Sequence, residues 1–133
     1  MNKSKNKGFL IFEALIALLI FSIGIISIID YQKKSVTGYS NSQNRLIAIS
    51  YANKLSNIIL LDSSNVNLYI NKTADKYIDW ENELNSALPY AKEKSPSISI
   101  INVDGKDVVS IVIYWKNTAS DKFSSYSITI GVI

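Results

Sequence analysis

Apolar residues recur along this chain in three rhythms, and each rhythm predicts a different element. Residues 9–29 read FLIFEALIALLIFSIGIISII, apolar on every side, with Glu13 the single charge. A helix over this stretch spans about 32 Å, close to the hydrocarbon thickness of a bilayer. An all-round apolar helix has to lie in lipid or inside a protein assembly. Further on, Ala48, Tyr51, Ala52, Leu55, Ile58 and Ile59 follow helical spacing and form one stripe, the mark of a face buried against a soluble core. Gly38, Ser40, Asn41 and Ser42 stand between the two patterns and weaken a helix locally. The expectation is one long helix from Phe9 to about Leu61, with room for an interruption at those residues.

The carboxyl third alternates with a period of two. Residues 97–103 form a candidate first strand, and Asp104-Gly105 is a strong hairpin signal after it. In residues 108–115, Val109, Ile111, Ile113 and Trp115 point one way, and Val108, Ser110, Val112 and Tyr114 the other. A polar loop is expected at 117–122. In residues 123–133, Tyr126, Ile128, Ile130 and Val132 alternate with Ser125, Ser127, Thr129 and Gly131. Between helix and strands, Asp62-Ser63-Ser64-Asn65 reads as a turn. A short helix is expected at 79–88, with Asp79 as N-cap, Trp80, Leu84 and Leu88 on one face, and Pro89 as its stop. Residues 92–96 read as an exposed connector. Three antiparallel strands with one apolar face need a cover, and the stripe at 48–59 supplies it. The predicted fold class is α+β: a long amino-terminal helix, membrane-spanning in its first half, packed through its second half on a small antiparallel β-sheet.

Composition narrows the chemistry. The chain has 133 residues, enough for one small domain beside the apolar segment. It has no cysteine and no histidine. Disulfides, thiolate nucleophiles, the commonest metal ligand and the usual general base near neutral pH are therefore missing. The net charge of +3 resides in Lys3, Lys5 and Lys7; beyond residue 8, 11 of the 14 basic side chains face 11 acidic ones. This balance gives no argument for nucleic acid, and none is expected as a partner. A local patch of Lys92, Lys94 and Lys116 remains a candidate. Asp79, Glu81 and Glu83 cluster, but acids near a helix start more often complement the macrodipole. Serines lack a histidine to activate them. No phosphate loop or metal-ligand cluster appears. The chain reads as neither an enzyme nor a holder of any cofactor or metal. Trp80 and Trp115 read as core residues, with an exposed Trp115 the alternative that would contact a partner.

Glu13 is the informative departure from pattern. A carboxylate near the end of an apolar segment is costly and calls for a partner, yet residues 9–29 hold no Lys, Arg or His. An ordinary uncleaved anchor does not explain it. A secretory signal peptide, with Ser22-Ile-Gly24 imitating a cleavage site, conflicts with the length of the apolar run.

Lys7-Gly8-Phe9 followed by Leu10-Ile11-Phe12-Glu13 resembles the class III leader of type IV prepilins. The resemblance implies a basic leader, residues 1–8, cut after Gly8 by a prepilin peptidase. Phe9 becomes the N-methylated amino terminus, and Glu13 the fifth mature residue and subunit-docking group. Residues 9–29 then form the transmembrane and filament-core segment, and residues 30–133 a periplasmic pilin-like domain. In the family's proposed scheme the glutamate of an incoming subunit faces the amino terminus of its neighbour. Later runs, SIGIISIIDYQ, Ala52-Asn53-Lys54-Leu55, Trp80 and Leu84 ahead of Leu88-Pro89, and Ile113-Tyr114-Trp115, are similar to minor pilins of the PilV type. Phe12 departs mildly, standing where isoleucine or leucine is common. The absence of a carboxyl-terminal cysteine pair departs from major pilins and favours a minor role. The implied function is that of a minor pilin, priming or capping a type IV pilus that serves adhesion or twitching. Implied partners are the peptidase, other major and minor pilins, the inner-membrane assembly platform and membrane lipid. The implied location is the inner membrane, single-pass, then the filament. A minor pseudopilin of a type II secretion system, or of a DNA-uptake machine, shares the same leader and fold and stays open as an alternative. Lysines at 3, 5 and 7 before the span and Lys33, Lys34 and Arg45 after it leave the charge rule for orientation nearly balanced.

Overall fold

The computed structural model describes residues 5–117 and 122–131. Lys3, Val132 and most of the loop expected at 117–122 lie outside the described residues. The elements run α1 (Lys5–Leu61), a 3-10 turn (Ser63–Asn65), α2 (Val66–Ile70), α3 (Asp75–Ala87), a second 3-10 turn (Ala91–Glu93), then β1 (Ser97–Val103), β2 (Lys106–Lys116) and β3 (Phe123–Gly131). A long apolar helix and a three-stranded antiparallel sheet make the layout α+β. The chain divides into two compact units at Gly38 and Tyr39.

In the first unit α1 is long and apolar enough to cross a membrane, and none of its most apolar window is buried within the chain. Three of its hydroxyls bond back to the helix's own carbonyls. Ser22 Oγ donates to Leu18 O at 2.7 Å, Ser27 Oγ to Ile23 O at 3.0 Å, and Thr37 Oγ1 to Lys33 O at 2.8 Å. Bonds of this i to i−4 kind let polar groups sit in a helix exposed to lipid.

In the second unit the stripe of α1 becomes one wall of the core. Ala48, Ala52, Leu55 and Ile59 are buried with Tyr77, Trp80 and Leu84 of α3 and Val109, Ile111, Ile113 and Trp115 of β2. Small residues at 48 and 52 leave room for the indole of Trp80, whose Nε1–H donates to Tyr51 O at 2.9 Å. The sheet is a meander in the order β1-β2-β3, with Ile111 of central β2 opposite Ile98 on one side and Ile128 on the other. Asp104 and Gly105 both take positive φ, 52° and 79°, the two left-handed positions of a tight hairpin turn. Edge strand β1 buries Ile98 only, while Ile100 is half-exposed.

One local expectation is sharpened and three are revised. First, α1 is the single long helix expected up to Leu61, and it continues without a break through Gly38 and Asn41. Asn41, one of the weak helix formers there, is bonded to the sheet, Trp115 Nε1 donating to its Oδ1 at 3.4 Å, and one turn on Asn44 Nδ2 donates to Oδ1 of Asn117, just past the end of β2, at 3.0 Å. Tertiary bonds outweigh local propensity. Second, α3 begins at Asp75, one turn before Asp79, which is exposed inside the helix. The extra turn adds Tyr77 to the buried face, its ring 5.6 Å from that of Trp80. Ala74 is the N-cap, with no side-chain cap bond. Third, the turn cluster at 62–65 leads directly into α2, which buries Tyr69. Fourth, Pro96 in the presumed exposed connector is fully buried.

Candidate assembly site on the amino-terminal helix

Gly8, Phe9 and Glu13 all lie on α1 in the first unit. Phe9 and Glu13 are one turn apart and therefore share a face. Both are exposed, Phe9 at 70 %. Among the described residues Glu13 has no hydrogen-bond or ion-pair partner, and its neighbours in space along the helix are apolar side chains such as Phe12 and Ile16. A carboxylate so placed is tolerable in water but costly once the helix enters lipid or protein. Gly8 is helical, and a β-carbon added there would meet nothing within 4 Å. Neither backbone conformation nor packing inside the chain demands glycine at this position.

The other sequence candidates go elsewhere. Glu83 of α3 pairs with Lys54 of α1, both about half exposed. That bond holds the lysine pKa above its ordinary value. Glu81 accepts a bond from Tyr77 Oη at 3.1 Å. Burial first, then the Glu81 charge, pushes the Tyr77 hydroxyl up. Glu81 and Glu83 thus bond to different partners, Asp79 is exposed, and the three form no convergent pair. Among the described residues no group of His, Cys, Asp or Glu is arranged to hold a metal. Trp80 and Trp115 are both core residues, 1 % and 2 % exposed; the alternative of an exposed Trp115 is excluded. Lys94 and Lys116 come together at one end of the sheet, each over an aromatic ring, and Lys92 is exposed on the 3-10 turn before Lys94.

Sequence reasoning missed one polar anchor. Tyr69 Oη donates to Asp62 Oδ2 at 2.8 Å, and Asn65 Nδ2 to Asp62 Oδ1 at 2.8 Å. The Asn65 and Tyr69 bonds hold the Asp62 carboxyl below its usual range. Burial, with the Asp62 bond second, pushes the Tyr69 hydroxyl up to about 12. The turn residues Asp62 and Asn65 were the available signal; the distant tyrosine was not. Beside this anchor, a shallow groove of about 210 Å³ lies between α2 and the β1–β2 pair, lined by Val66, Ile100 and Val109 among others. It offers no nucleophile and base in partnership.

No family model matches the chain, and neither does a curated protein or a solved structure.

Proposed function

We propose that this chain is a minor pilin-like structural subunit, processed at Gly8 by a prepilin peptidase and assembled through its amino-terminal helix into a type IV pilus. Exposed Glu13, one turn from Phe9 in an apolar helix and without a partner among the described residues, carries the proposal. Cutting after Gly8 creates an α-amino cation at Phe9 and leaves Glu13 near the start of the shortened helix. There the positive end of the macrodipole favours a carboxylate. In the packed interior of a filament, the amino cation of a neighbouring subunit completes the pairing that burial requires. The same requirement discriminates against subunits that still carry their leader, because their Phe9 nitrogen is an uncharged amide.

Gly8 fits the scheme because the chain itself has no need of it. A glycine inside a helix costs about 1 kcal/mol relative to alanine, so unwinding the helix into a peptidase site is easiest there. Gly8→Ala should leave the protein membrane-bound and uncut in cells that contain a prepilin peptidase. Normal processing of that variant, read as a mobility shift on a denaturing gel, would remove the basis of the proposal. The bipartite layout supports this reading: an apolar helix segment without internal partners, and a second unit with its own core.

A further inference from the structure

Helix α1 does not stop where its apolar run stops, and the first turn beyond Ile29 changes character at once. Asp30, Tyr31, Lys33 and Lys34 follow within five residues. All four are exposed, Tyr31 at 75 %. Between Phe9 and Gly38 the only other charge is Glu13. Asp30 precedes the two lysines by three and four positions, a spacing at which helical side chains meet. Even so, neither lysine forms an ion pair among the described residues, so no salt bridge there neutralises them.

The depth of these residues follows from helix geometry. Each residue advances about 1.5 Å along the axis. With residues 9–29 across the hydrocarbon, Tyr31 stands about 3 Å beyond Ile29 and the two lysines about 6–8 Å beyond it. A hydrocarbon core of about 30 Å inside a bilayer of about 40–45 Å leaves a headgroup layer roughly 5–8 Å deep on each side. The lysines therefore stand at the depth of the lipid phosphates. The Tyr31 ring stands at the boundary, where an aromatic body with a polar tip is most favourable. Tyr31 and Lys34 are three residues apart and share a face, so one phenol O–H and one ammonium can reach the same phosphate. Lys33 flanks them one residue back, its long stem able to run along the helix while its charge stays in the polar layer.

We propose that Tyr31, Lys33 and Lys34 form a headgroup site for an anionic phospholipid in the leaflet at the carboxyl end of the span. The ammonium groups pair with the phosphate, and Tyr31 donates to one of its oxygens. Each lysine at an anionic surface raises affinity about fivefold. Asp30 acts against the site by repelling the same phosphate. A zwitterionic headgroup carries its own cation beside the phosphate and is a poorer ligand. An acidic protein partner is less favoured, because it would have to displace the headgroups that crowd this depth. The bound lipid is a hold that any route out of the bilayer has to break.

The inference needs the membrane-spanning reading of residues 9–29 but neither leader removal nor filament entry, so the test uses the uncut full chain. The protein is released from detergent micelles that contain equal amounts of phosphatidylglycerol and phosphatidylcholine, and the retained lipid is counted by native mass spectrometry. Phosphatidylglycerol should be retained in preference to phosphatidylcholine. The preference should fall at least about tenfold in Lys33→Gln/Lys34→Gln, with an unchanged circular dichroism spectrum because both side chains are exposed. Tyr31→Phe keeps the ring and loses the donor, and should weaken the preference by less. Asp30→Asn should strengthen it, a gain that misfolding would not produce. The preference should persist when Lys3, Lys5 and Lys7 are replaced by glutamine. Equal retention of the two lipids, or a preference untouched by the Lys33 and Lys34 substitutions, would overturn the proposal. Its loss in the leader variant alone would overturn it by moving lipid contact to the other end of the span. Displacement of phosphatidylglycerol by inorganic phosphate would overturn it by assigning the lysines to free phosphate.

Discussion

Glu13 and Asp62 are both carboxylates, and their surroundings treat them in opposite ways. Asp62 accepts bonds from Asn65 and Tyr69, and these hold its pKa below the ordinary 3.8. A carboxyl depressed in the folded state adds stability above its unfolded pKa and loses it as pH falls through the folded value. The melting temperature should therefore drop as pH falls below about 4, and Asp62→Asn should flatten that drop while lowering stability at neutral pH. An unchanged acid profile in the variant would show that the anchor contributes nothing. The partner Tyr69 behaves in the reverse sense. Raised to about 12, it supports the fold up to its ordinary value of 10 and loses that support as pH rises between the two. Neither effect was legible in the sequence, since Asp62 and Tyr69 meet only once the 3-10 turn and the start of α2 have formed between them. Glu13, by contrast, stood out by sequence alone, because a charge inside an apolar run breaks its pattern whatever the fold.

At the scale of elements, periodicity identified what was long and repetitive. The stripe of α1, the inward set of β2 and the Asp104-Gly105 hairpin are where they were predicted, since each repeats its signal several times or demands special backbone angles. Five-residue α2 is too short to show a helical period, and α3 starts at an alanine without a side-chain cap, so neither start left a mark. Asn41 and Asn44 were read as helix-weakening residues or passed over, while their bonds to Trp115 and Asn117 join positions more than seventy residues apart in the chain. Leu55 sits at the centre of the stripe and is fully buried. Leu55→Ala should lower the unfolding free energy by about 2–5 kcal/mol, measured by denaturant titration followed through tryptophan fluorescence. A change below about 1 kcal/mol would mean that the helix does not cover the sheet as a core element.

For the whole molecule, the two units answer to different environments. Residues from Tyr39 onward carry a core of their own, whereas the apolar segment before Gly38 buries nothing within the chain. Such a segment gains stability only in lipid or inside a protein assembly, and under the proposal Glu13 restricts which subunits it accepts. Glu13→Ala removes that restriction without touching Gly8 or Phe9. The variant should be processed normally and remain in the membrane, yet enter sheared filaments at least about tenfold less often than wild type, a loss matching one buried charge pair. Wild-type incorporation would assign docking to apolar packing alone. The sequence rhythm made the division into two units legible.

The most direct test of the central claim is the intact mass and amino-terminal sequence of the protein taken from membranes of cells that carry a prepilin peptidase. The account predicts a chain that begins at Phe9 and bears one added methyl group. A chain that begins at Met1 would make the apolar segment an ordinary anchor, and one that begins near Ile25 would make it a secretory signal; either result contradicts the assignment of Gly8, Phe9 and Glu13 to filament assembly.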